Sequence, residues 1–139
     1  MTDWDYTNLV YPWFLPLALL AIVYILPLQN VLKIRVSPWL SVRDGQLAWV
    51  ALGMCLGAQY DLKHATVPDT GGLRATQDAL ALLGILGSAV VAVISPLYPA
   101  GELRDTTAAG LFLHYRVFWG TVVLTLGCAF LYRWIHLTT

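Results

Sequence analysis

Few residues in this chain combine a type and a spacing that chemistry could use. His114, Phe118, Thr121, Thr125 and Cys128 recur at i, i+4, i+7, i+11 and i+14, which lines them along one face of a helix. A face of that polarity belongs against protein rather than lipid. An imidazole on it has the chemistry of an axial ligand to a haem or a chlorophyll, or of a contact to a quinone, with threonine hydroxyls beside it. His114 is therefore the candidate cofactor-binding residue, and the spacing leaves the cofactor itself unspecified. A haem in a helix bundle generally takes a second histidine, and His64 and His136 both fall outside the apolar segments. The competing account is structural, with the threonines bonding their own helix backbone and His114 at the membrane interface beside Arg116.

Other chemistry is poorly provided for. The three histidines and two cysteines show no C-x-x-C, H-x-x-H or H-E-x-x-H spacing, so no metal ligand is assigned. All eight carboxylates fall in loops or at segment ends. That withholds the protected acid–base pair of an enzyme and the buried carboxylate of a proton-coupled carrier. No catalytic residue is assigned. Cys55 and Cys128 lie inside apolar segments and are expected as free buried thiols. Eight basic side chains balance the eight acids, with no basic block, which argues against a nucleic-acid partner.

The elements that must position these residues are set by composition. A chain of 139 residues with 58% hydrophobic content, 12% charge and a mean hydropathy of +0.67 is too apolar to cover itself in water. A soluble domain of this size carries about twice the charge. In lipid the backbone must satisfy itself, and long unbroken apolar runs do so as helices. The expected fold is an all-α membrane protein, a single transmembrane domain over residues 1–139 with four transmembrane helices in a compact bundle and short loops. The spans are placed at about 9–32, 45–60, 79–98 and 111–134.

Ala79 to Tyr98 anchors this arrangement, because it runs twenty residues without a charge. At about 1.5 Å per residue it matches the hydrocarbon thickness of a bilayer. Gly84, Ser88 and Ala92 repeat on it at four-residue spacing, which lets a neighbouring helix approach closely. Gly53 and Gly57 give the second span a GxxxG face of the same kind. Pro27 cannot donate to the carbonyl of Val23 and predicts a kink in the first span. Residues 61–78 are expected as a loop, with an N-cap for the third span among Thr76 to Asp78. In the last span Arg116 is placed at the interface, where its side chain reaches headgroups.

Four spans put both termini on one side. Five basic residues in the two outer loops against three on the terminal side place the termini away from the cytoplasm. No basic residue precedes Lys33, so the first helix is expected to be retained rather than cleaved as a leader. Small-residue faces, short loops and the lack of a catalytic set predict a non-catalytic structural or accessory subunit of a larger membrane complex, respiratory or photosynthetic. Its partners would be the lipid bilayer and other membrane subunits or copies of itself. A bacterial inner membrane or an organellar energy-transducing membrane is the expected location. A homo-oligomeric channel, with the path between protomers along Thr121 and Thr125, is the alternative. A subunit contacting haem, chlorophyll or quinone through His114 is a second one.

Overall fold

The computed structural model describes residues 2–14, 18, 22, 46–69, 71–97 and 106–139. Among these residues the chain is helical, with five α-helices and no strand. The kink at Pro27 and most of the first expected span lie outside the described residues.

The N-terminal piece opens with α1 (Asp3–Asp5), a single turn capped reciprocally by Thr2 and Asp5, and winds on as a π-helix over Tyr6–Val10. Three longer helices follow. They are α2 (Leu47–Lys63), α3 (Leu73–Ile94) and α5 (Arg116–Thr138), with the short α4 (Ala108–His114) preceding the last. α3 and α5, of 22 and 23 residues, are long and apolar enough to cross a membrane.

The faces of these helices are inverted relative to those of a soluble protein. On α3 the buried positions are Gln77, Ala81, Ser88 and Ala92, all small or polar. Leu83, Leu86 and Val93 on its outer side are exposed by 65%, 63% and 62%. α5 repeats the pattern, with Thr121, Thr125 and Cys128 inside and Val123, Leu126 and Phe130 outside. Only 22% and 28% of the apolar windows of α3 and α5 are buried, whereas a soluble core helix would be mostly covered.

α2 is the central member and packs along both α3 and α5. The Thr125 hydroxyl donates to the Leu47 carbonyl at 3.2 Å, and Asp61 meets His136 at 2.9 Å. Similar offsets at both ends of α2 mean that α2 and α5 run parallel, with α3 antiparallel to them. The close packing has a visible cause. At Gly84 a Cβ would fall 2.5 Å from Cys55 Sγ, and at Gly57 a Cβ would fall 2.8 Å from the Tyr132 ring.

The helix ends differ from the expected span limits in three places. α2 begins at Leu47 and continues through Asp61 to Lys63, beyond the expected end at Tyr60. α3 begins at Leu73, six residues before the expected Ala79, and gives way to a 3₁₀ turn at Ser95–Leu97. Its start is set by Gly72 rather than by Thr76 to Asp78. Gly71 and Gly72 both have φ of 76°, a left-handed conformation that glycine adopts without strain. The expected 61–78 loop thus shrinks to residues 64–72, because burial of Gln77 rewards two further turns of helix. The fourth span, placed at 111–134, is divided at Tyr115 and its main helix reaches Thr138. The break leaves Arg116 exposed at the start of α5.

Candidate functional site

The last two turns of α5 carry Tyr132, Arg133 and His136, and the last turn of α2 carries Asp61. Tyr132 and His136 are four residues apart and share a face, so one group docking there meets both. That group is Trp4. Its indole lies flat on the His136 ring, with centroids 3.6 Å apart and planes 8° from parallel, and meets Tyr132 edge-on at 4.9 Å. On the side of the imidazole, His136 Nδ1 is 2.9 Å from Asp61 Oδ2, so the ring N–H donates to the carboxylate.

Asp5 completes the clamp. Its Oδ2 accepts from the Thr2 backbone N–H at 2.8 Å and the Thr2 hydroxyl at 3.2 Å, while Oδ1 sits 3.2 Å from Arg133 Nε. The Thr2 N–H, assisted by the Arg133 guanidinium, holds the Asp5 carboxyl below its ordinary value, against burial, which pushes it up. A depressed carboxylate contributes its full share to the Thr2–Asp5 turn, and through Arg133 to docking, above the unfolded value of about 3.9, and loses it as pH falls through the lower folded value. A nitroxide on Thr7→Cys should therefore stay immobile from neutral pH to pH ~5 and gain mobility only below the usual carboxylate range. Asp5→Asn should mobilise it at every pH. Release beginning near neutrality would refute this account of Asp5.

A second cluster sits at the waist of the bundle. Cys55 from α2 and Cys128 from α5 are both free and buried. Ser88 Oγ of α3 lies 3.8 Å from Cys128 Sγ, and the missing side chain of Gly84 makes room for the Cys55 sulfur. Deeper along α5, Thr125 donates to the Thr121 carbonyl at 2.6 Å as well as to Leu47, and Thr121 donates to the Phe118 carbonyl at 2.8 Å. These hydroxyls serve helix backbone rather than a ligand. Among the described residues no three His, Cys, Asp or Glu side chains gather as metal ligands would.

His114 stands apart from both clusters. It is the last residue of α4, half-buried, with its ring edge-on to Tyr115 at 4.7 Å. The interruption at Tyr115 removes it from the helix that carries Thr121, Thr125 and Cys128, so the expected stripe begins only after the break. Of the small-residue positions, Gly57 meets the Tyr132 ring, Gly84 meets Cys55, and Ser88 and Ala92 lie buried on α3. Gly53 differs, being exposed with nothing within 4 Å of a Cβ placed there. The end clamp was missed in the sequence, although Tyr132 and His136 extend the Thr121, Thr125, Cys128 face by helical spacing. The expected limit of the fourth span at residue 134 stops short of His136.

Compared with known protein families, with curated proteins and with solved structures, the chain finds no match.

Proposed function

We propose that the chain is a small integral membrane protein, crossing the bilayer four times as a compact bundle, and that it serves as a non-catalytic structural or accessory subunit of a larger membrane complex. One observation carries this reading. Polar side chains buried between the helices, namely Gln77, Ser88, Thr121 and Thr125, are bonded within the chain, while the outer faces of α3 and α5 carry large apolar side chains. Such an interior has little left with which to hold a substrate, and such an exterior suits lipid tails and other membrane helices. Membership of a respiratory or photosynthetic assembly, in a bacterial inner membrane or an organellar one, fits this surface. The Trp4 contact with the end of α5 favours termini on one side, and the excess of basic residues in the other loops favours that side as non-cytoplasmic.

A path between protomers along Thr121 and Thr125 is not favoured, since both are turned inward, at 1% and 0% exposure. Extraction in mild detergent followed by native electrophoresis should find the chain migrating with other polypeptides. A monodisperse assembly of this chain alone would overturn the subunit reading. Recovery without detergent as a soluble monomer would overturn the membrane reading itself.

A further inference from the structure

Two thiols lie side by side at the waist of the bundle. Cys55 on α2 and Cys128 on α5 are both free and both buried, in an apolar core shared with Ala51, Met54, Ala58 and Ala81. The Leu47–Thr125 and Asp61–His136 contacts fix the register of these two parallel helices. Cys55 lies between the two anchors on α2 and Cys128 between the two on α5, so the register brings the sulfurs to one level. Gly84 of α3 marks the spot where they meet. A Cβ there would fall 2.5 Å from Cys55 Sγ and 3.7 Å from Cys128 Sγ, so both sulfurs border the same small space. The thiols also contact each other directly, side chain to side chain. Cys128 has a further polar neighbour, the Ser88 hydroxyl, with Oγ 3.8 Å from its sulfur.

We propose that Cys55 and Cys128 are a redox-active pair, which a small neutral hydroperoxide such as hydrogen peroxide joins into a disulfide that ties α2 to α5. The Cys128 sulfur attacks one peroxide oxygen and the O–O bond breaks. The thiol proton goes to the departing oxygen, leaving one water and a sulfenic acid on Cys128. Cys128 reacts first because the Ser88 hydroxyl can donate to its sulfur as the proton leaves. The Cys55 sulfur then attacks the Cys128 sulfur, and the hydroxyl departs with the Cys55 proton as a second water. Two thiols and one peroxide become one disulfide and two waters, and the peroxide oxygens gain the two electrons that the sulfurs lose. Reactants and products are all uncharged, so the apolar core accommodates either state without burying an ion. Hydrogen peroxide is small enough to enter on local openings of the bundle, which makes the reaction slow. With the second thiol already in contact, the sulfenic acid ends as a disulfide rather than oxidising further. The inference stands on contacts among α2, α3 and α5 and is independent of the subunit reading.

The purified full-length chain in detergent, incubated with hydrogen peroxide, should lose two hydrogens in intact mass and regain them on reduction by a phosphine. Peptide mapping should place the bond between Cys55 and Cys128 of one chain. The oxidised protein should melt about 5 °C above the reduced one, because the bond closes a long loop of the unfolded chain. In Cys55→Ala, dimedone should trap the sulfenic acid on Cys128. In Cys128→Ala, trapping on Cys55 should be about tenfold slower, since that sulfur lacks the serine. Elution as the parent gel-filtration species shows that each variant is folded. Thiols left intact in the peroxide-treated parent, sulfinic acid on either cysteine in place of the bond, or a bond joining two chains would overturn the pairing. Equal trapping in the two single variants would overturn the choice of Cys128 as the first thiol.

Discussion

Gly84→Ala should destabilise the bundle by about 1–3 kcal/mol, and adding Cys55→Ala should restore most of the loss. The single methyl would fall 2.5 Å from Cys55 Sγ and 3.7 Å from Cys128 Sγ, with the Cys55 Cβ at 3.6 Å. The sulfur has little room to yield, because Cys55 is fully buried between α2 and its neighbours. Either the helices separate or Cys55 leaves its rotamer, and both lose packing along the face where α2 meets α3. Removing the sulfur leaves the Cβ of residue 55 in ordinary contact range, which is why the double variant recovers. Gly87→Ala and Gly53→Ala supply the contrast, since a Cβ at either meets nothing within 4 Å. Those two should be neutral, or stabilising by up to about 0.5–1 kcal/mol through helix propensity. Thermal denaturation in one detergent, followed by circular dichroism, separates the cases. Gly84→Ala melting with the parent protein would show that the α2–α3 contact is looser than this geometry, and absence of rescue by Cys55→Ala would place the strain elsewhere.

That a helix of this composition forms at all is legible in the sequence, because twenty uncharged residues from Ala79 have few other ways to satisfy their backbone. The inward direction of Gly84, Ser88 and Ala92 is legible too, since small residues at four-residue spacing only help where something comes near. Gly53 shows the limit of that argument. GxxxG spacing names two positions on one face, but Gly57 alone lies under a partner side chain, and whether a partner arrives is a tertiary matter. Boundaries were read from charge, and charge misleads where a polar side chain is buried. Gln77 inside the bundle draws α3 two turns past its apolar run, and Asp61, bonded to His136, does the same for α2 by one turn. His114 was placed by counting through Tyr115, where the helix is interrupted. The end clamp depends on contacts between residues more than seventy apart, which spacing within one helix does not encode.

Trp4→Ala should release the start of the N-terminal segment from the bundle while leaving α2, α3 and α5 assembled. The helical run from Asp3 continues unbroken to Phe14, and its first turn, at the very end of the chain, persists only with tertiary contacts. Trp4 on His136 and Tyr132, and Asp5 on Arg133, fix the first turn to α5, while Leu9 and Trp13 pack against the core further along. Arg133 is half exposed, so water screens its pair and the aromatic contacts carry the larger share. Two such ring contacts are together worth about 1–3 kcal/mol beyond the area they bury, comparable with the whole stability expected of a docked segment this small. Hydrogen–deuterium exchange should show residues 2–8 losing protection in Trp4→Ala, keeping part of it in Trp4→Phe, and protection over 9–14, 47–63 and 116–138 unchanged. His136→Ala should reproduce the loss, because it removes the surface on which the indole lies and leaves Asp61 without its imidazole partner. If Trp4→Ala exchanges like the parent, the segment is held by Asp5 and Arg133, and the stack on His136 is a consequence of docking rather than its cause.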